Sequence, residues 1–327
     1  MTQPGPPRDA GGWPTVVALV GPTASGKSAV ALALARAIGG EIVNADAFQV
    51  YRGMDIGTAK PTRGERAAVP HHLVDILEIT EELSVADYQR RGRVVLADLA
   101  ARGVPAVVVG GSGLYVRALL DDLRFPGSDP HIRARWEQQL AEVGPQRLHE
   151  VLAQRDPQAA AQILPTNGRR IVRALEVGEI TGAGFPATLP ADGPALVPHL
   201  SAGLAIERAE LDTRIERRVD RMLDDGLVAE VRGLLDRGLR AGRTSARALG
   251  YPQVIAHLDG LIDLAEARAA IVAATRAYAR RQQRWFRRDP RTTWYPVGGD
   301  APGPDPVSST ASAIAARLSA PTRTLDP

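Results

Sequence analysis

The eight residues Gly21, Pro22, Thr23, Ala24, Ser25, Gly26, Lys27 and Ser28 (GPTASGKS) constrain this chain more than any other stretch. An apolar run, TVVALV (Thr15 to Val20), leads into them, and SAVALALARAI, with few helix breakers, follows. Gly, four residues, then Gly-Lys-Ser between a strand and a helix is the pattern of a phosphate-binding loop. The backbone N–H groups of such a loop curl round an anion, and the helix N-terminus adds its partial positive charge. Lys27 is placed to meet the outer phosphate oxygens, and the Ser28 hydroxyl to ligate Mg²⁺. The motif leaves open which phosphate is held.

Further short apolar runs read as buried strands: EIVNAD (Glu41 to Asp46), HLVDIL (His72 to Leu77), AVVVGG (Ala106 to Gly111), SAGLAIE (Ser201 to Glu207) and TTWYPV (Thr292 to Val297). Helical stretches separate the early ones, the rhythm of an α/β fold: a P-loop NTPase-like parallel sheet with helices on both faces. That core is expected over 13–120 and 201–297. From 121 to 200 the periodicity is helical throughout, which predicts an all-helical insertion closed by a Gly/Pro-rich loop. Residues 1–12 read as an N-terminal tail, and 298–327 as a low-complexity, mobile one.

Composition narrows the function. The absence of cysteine excludes disulfides and Cys-ligated zinc. No apolar run approaches the roughly 20 residues of a membrane span, and the N-terminus lacks a secretory apolar region. A cytoplasmic protein is expected, and, with no long heptad seam, a monomer. Only Lys27 and Lys60 among 40 basic residues are lysines, so a lysine here is not surface filler.

Asp46 falls at the carboxyl end of the second strand, on the sheet edge that carries the phosphate loop, where ligands of open α/β sheets bind. A carboxylate there can take a proton from an attacking nucleophile. It can equally cap the next turn. Gly53, Gly57 and Lys60-Pro61 predict a turning segment laid over the site, and the His71–His72 pair reads as structural. The obvious later strand, AVVVGG, ends in Gly-Gly without the second acid usual in phosphate-loop ATPases, which favours a compact transferase. In RAYARRQQRWFRRDPR (Arg276 to Arg291), arginines recur three or four apart without an acid before Asp289. Like charges at that spacing destabilise a helix, so a polyanion is the natural partner; interleaved aromatics suit RNA. Arg169, Arg170 and Arg173 form a second basic face, in the insertion.

GPTASGKS, YRGMDIGTAKP, GGSGLY, RALEV, RALGY and the arginine-rich helix, in this order and spacing, resemble the tRNA dimethylallyltransferase family over roughly Thr15 to Tyr295. The resemblance implies that dimethylallyl diphosphate occupies the loop, and that its allyl group passes to N6 of the adenosine just 3′ of the anticodon in tRNAs reading codons that begin with U. Gly21 to Ser28 then bind diphosphate, Thr23 and Lys27 contributing to catalysis and Ser28 to Mg²⁺. Arg218 closes on the leaving group, and Asp46 is the general base. The tRNA anticodon stem-loop is met by Asp46, Ala47, Phe48 and Gln49; by Ser112 and Arg133; by Arg169, Arg170, Ile171, Val172 and Arg173; by Arg247, Ala248, Leu249, Gly250, Tyr251 and Pro252; and by Arg280, Arg281, Gln282, Gln283, Arg284, Trp285, Phe286 and Arg287. Ala47 departs from the family's usual Ser and removes a hydroxyl there. Two rivals share the motifs: a P-loop kinase using ATP on a small metabolite, and a non-enzymic RNA-binding protein regulated by a nucleotide.

Overall fold

The computed structural model describes residues 13–186, 195–298 and 305–319. The chain divides into two compact units, Met1–Asp121 with Ala195–Pro327, and Asp122–Pro194. The first is built from β1 (Val16–Val20), α1 (Lys27–Ile38), β2 (Glu41–Asn44), α2 (Arg63–Ala68), β3 (His71–His72), α3 (Val85–Ala101), β4 (Ala106–Val109) and α4 (Gly113–Leu120). The second holds α5 (Pro130–Arg155), α6 (Pro157–Gln162) and α7 (Gly168–Thr181). The chain then returns to the first unit with β5 (Leu200–Ala205), α8 (Arg208–Asp224), α9 (Leu227–Asp236), α10 (Tyr251–Leu258), α11 (Leu264–Phe286), β6 (Thr292–Pro296) and α12 (Pro306–Ser319).

The six strands form one parallel sheet in the order β3-β2-β4-β1-β5-β6. β1 lies inside it and is buried on both faces, so it is continuously apolar rather than alternating. Its odd and even positions face different cores. Val17 and Leu19 pack with Val30, Leu34 and Ala35 of α1, whereas Val16, Ala18 and Val20 join the larger cluster under α3, α4 and α8 to α11. Parallel strands put their carboxyl ends on one edge. The loops after β1, β2 and β4 therefore share that edge, with the phosphate loop among them.

Two expectations are corrected. HLVDIL is not a strand beyond His72, because Leu73 (φ 62°) and Asp75 (φ 55°) are left-handed and break the extended chain. Leu73 and Leu77 are buried in an irregular turn instead, tied down by the Asn44 amide, which donates to the Leu73 carbonyl (3.0 Å). The segment after residue 298 is not all low-complexity tail. Within it α12 packs on α1, with Ala311 and Ile314 buried in the α1-side core. Its Ser, Thr and Ala residues, which made the stretch look featureless, are small enough to let two helices approach closely. Residues 1–12, most of the loop closing the insertion (187–194) and the chain ends at 299–304 and 320–327 lie outside the described residues.

In the second unit, α5 is interrupted at Gly144 (φ 77°), followed by Pro145. Glycine ends one helix in the left-handed region and proline starts the next. Trp136, Leu148, Leu152, Ile171, Val172 and Leu175 form its own core.

Candidate active site

The phosphate loop is wound tightly after β1. Gly26, at φ 92°, caps α1 in a conformation that an L side chain rarely adopts. Ala24, at φ 64°, takes a left-handed conformation without that freedom, a local strain of about 1 kcal/mol that marks a constrained loop. The Lys27 ammonium donates to the Pro22 carbonyl across the loop mouth (2.6 Å). Among the described residues neither the buried Ser25 hydroxyl nor the Thr23 hydroxyl has a partner. Unsatisfied donors gathered round a helix N-terminus are what an anion with several oxygens requires.

Electrostatics agree. Burial first and then the Arg218 guanidinium, against a raising pull from Asp46, together lower the Lys27 ammonium from its usual range to about 7. Arg218, on α8, is likewise lowered by burial and raised by Asp46. Two cations share a recess with one carboxylate. The site therefore holds excess positive charge that no protein group cancels, and an anionic ligand relieves it.

Asp46 stands two residues beyond β2, held by its neighbours. The Asn44 side chain, almost wholly buried, accepts from the Asp46 N–H (3.0 Å) and donates to the Asp46 carbonyl (3.1 Å). The Tyr88 hydroxyl, on a ring stacked against Tyr115, donates to the Asn44 carbonyl (3.0 Å). One Asp46 carboxylate oxygen accepts from the Phe48 N–H (2.8 Å); the other has no partner among the described residues. The capping reading of Asp46 therefore holds for one oxygen, and the other is left open to a ligand. Its charge also raises the Tyr88 and Tyr278 phenols above their usual range, although burial is the larger cause for each.

The segment from Tyr51 to Pro61 turns over this edge, anchored from both sides. Lys60, fully buried at its side chain, donates to the Tyr51 carbonyl (2.7 Å), Asp55 (2.6 Å) and Asp75 (2.6 Å). Glu230 of α9 accepts from the N–H groups of Asp55, Ile56 and Gly57, and from the Tyr251 hydroxyl (2.7 Å). Gln49 donates to the carbonyls of Thr58 and Ala59 (3.2 Å each). His71 and His72 have structural partners, the Val69 carbonyl and the Glu41 carboxylate.

Several residues expected to touch RNA do not present their side chains. Ile171 and Val172 lie in the core of the insertion, Phe286, Ala248 and Tyr251 in that of the first unit, and Gly250 is buried too. Gln282 is 5% exposed, and its amide is engaged inside the protein. Arg133 and Arg173 converge on Glu176, which has no exposed surface (2.7 and 2.9 Å). Arg276, which continues the α11 arginine row, pairs with Glu216 and Asp212 of α8. The amphipathic spacing that revealed the helices cannot report which neighbours supply acids or a core.

What stays exposed is Arg169 and Arg170 on α7; Arg247 and Pro252; and Arg280, Arg281, Arg284, Trp285 and Arg287 on α11. Ala47, Phe48, Gln49, Leu249 and Gln283 are half-buried, as is Ser112, whose hydroxyl makes no capping bond at the start of α4. Ser28 is exposed at the start of α1, beside the loop. Asn44 and Glu230 were missed from sequence. Asn44 left a signal, a polar residue closing an apolar strand; Glu230 left none, because its partners lie 173 to 175 positions away.

A model of the IPP transferase family matches residues 49–289 of this chain. The tRNA dimethylallyltransferase of Kineococcus radiotolerans is 57% identical over 304 residues, 90% of this chain and 95% of its own. That of Thermobifida fusca is 58% identical over 293 residues, 88% of this chain and 91% of its own. The crystal structure of the full-length tRNA isopentenylpyrophosphate transferase of Bacillus halodurans is 39% identical, has a TM-score of 0.66, and covers 93% of this chain and 96% of that one. This chain belongs to the tRNA dimethylallyltransferase family, the IPP transferases.

Proposed function

We propose that this protein moves the dimethylallyl group of dimethylallyl diphosphate onto N6 of the adenosine immediately 3′ of the anticodon, in tRNAs that read codons beginning with U. The observation that carries the reading is the shared recess: a free Asp46 oxygen within electrostatic reach of Lys27 and Arg218, beside a loop with unsatisfied donors. The diphosphate binds the loop N–H groups, the Thr23 and Ser25 hydroxyls, Lys27 and Arg218. An exocyclic adenine amine is a weak nucleophile because its lone pair is delocalised into the ring. As N6 attacks the allylic carbon, the carbon–oxygen bond breaks and its electron pair leaves on the diphosphate. The cations stabilise that charge, and Asp46 accepts the amine proton.

Ser28 is the residue that would hold Mg²⁺, and a bound Mg²⁺ would supply charge neutralisation for the leaving group. That assignment fits a chain with no cluster of three or more His, Asp or Glu among its described residues. The adenosine reaches the recess only when flipped out of its stack, at a few kcal/mol, and phosphate contacts to the exposed arginines of α11 offset that cost. No helix among the described residues is long and apolar enough to cross a membrane, and the protein acts as a cytoplasmic monomer.

The test is transfer of radiolabel to bulk tRNA by wild type and Asp46→Asn. Label is expected to enter tRNA from dimethylallyl diphosphate and not from ATP. The substitution should lower transfer by about 10²- to 10⁴-fold, with tRNA binding intact. Label from ATP alone returns the protein to the kinases; unchanged transfer removes Asp46 from its role.

A further inference from the structure

Gln282 lies in the middle of the arginine-rich stretch, where an RNA contact is the obvious assignment, yet its amide points inward. Its Oε1 accepts from the Thr23 N–H of the phosphate loop (2.8 Å), and its Nε2 donates to the Gly111 carbonyl after β4 (2.9 Å). The residue is 5% exposed and its bond to the Gly111 carbonyl is buried, so water does not replace that bond if the amide is removed. Space is arranged for it as well. A Cβ on Gly111 would fall 2.0 Å from Nε2, so only glycine lets the amide pass between the two loops.

We propose that Gln282 is a positioning residue for the diphosphate site rather than an RNA contact: its amide fixes the Thr23 backbone, and so the third residue of the phosphate loop, in the geometry that binds the leaving group. The inference rests on the functional reading above and reassigns one residue within it. Among the described residues Thr23 makes no other hydrogen bond through its main-chain N–H, and its hydroxyl is left without a partner. Without the amide, the N–H of the loop's third residue loses its protein partner and the residue can turn away from the anion. Arg281 and Arg284, on the same helix, remain exposed and unaffected.

The two roles predict opposite Michaelis constants. Two variants disturb the amide from different sides: Gln282→Met keeps the volume and removes both hydrogen bonds, while Gly111→Ala expels the amide and leaves all of α11 intact. Calorimetry with inorganic diphosphate and with an anticodon stem-loop RNA, together with steady-state transfer, reads the outcome. Both variants should weaken diphosphate binding and raise the KM for dimethylallyl diphosphate about tenfold, roughly the worth of one lost hydrogen bond. The Kd and KM for the RNA should stay within about twofold. Weakened RNA binding with unchanged diphosphate binding, or equal weakening of both, overturns the assignment. A wild-type protein that does not bind diphosphate defeats the functional reading and this inference together. A wild type that binds it, beside variants that bind it equally well, defeats the inference alone.

Discussion

Arginines three or four residues apart occur on α7 of the insertion and on α11 of the core; Arg169 and Arg170 of the first stay exposed, but its Arg173 and the far end of the second have opposite fates. On α7, Arg173 turns inward, joins Arg133 from α5 on the buried Glu176 carboxylate, and donates to the carbonyls of Pro126 and Gly127. On the second half of α11 and just past its end, Arg280, Arg281, Arg284, Arg287 and Arg288 are exposed, and none has an acidic partner among the described residues. The one ring contact in that group is between Arg281 and Tyr278, 5.6 Å from the ring centroid. The first half of α11 behaves like α7, since Arg268 and Arg276 pair with acids of α8. The helix passes from internally neutralised to uncompensated within a few turns. Under the proposed function, the cations left without acids on and just past α11 would meet the tRNA backbone, and the Lys27–Arg218 recess the diphosphate.

The comparison breaks first at Glu176. Gln at that position leaves two guanidinium groups without their buried counter-charge, and unfolding should lose about 3 kcal/mol, near the lower end for a broken buried pair because both arginines keep a path to water. Urea unfolding of the full chain measures it; a loss near zero means that the inward arginines are no more than surface groups. The double substitution Arg280→Ala/Arg284→Ala should leave stability unchanged and flatten the salt dependence of tRNA binding by roughly one unit of slope per arginine. An unchanged slope places the phosphate contacts elsewhere.

Lys27 sharpens the comparison by titration. In the empty site its ammonium titrates near pH 7, and a bound diphosphate raises that value. Binding therefore takes up a proton above pH 7, and affinity falls as pH rises through about 7, being greatest below it. Calorimetry in buffers of different ionisation enthalpy should show this uptake in wild type and its loss in Lys27→Arg. The smallest effect belongs to Arg276→Ala, which should cost about 1 kcal/mol of stability through its α8 partners and leave the salt slope of tRNA binding alone.

Much of the site could be read along the chain because its parts are local. The phosphate loop is eight consecutive residues, and Asp46 follows β2 by two. Their meeting is guaranteed by parallel strands sharing a carboxyl edge. The supports were invisible for the converse reason. Glu230 holds amides 173 to 175 positions away, and Gln282 holds one 259 positions away. In neither case does the local pattern differ from that of an ordinary helical residue.

By itself the sequence determined the strand–loop–helix start, the rhythm of an α/β fold, the helical character of the insertion and the ordered motifs of the family. Each depends on neighbours within a few turns, where periodicity and backbone preference act. The tertiary structure alone decided which arginines face acids and which face solvent, that a Ser- and Ala-rich tail folds as a helix on α1, and that HLVDIL wraps Asn44 and Lys60 instead of extending a strand. Those outcomes depend on which distant carboxylates, amides and apolar faces close packing brings into contact, and burial makes each such pairing obligatory only once the chain has folded.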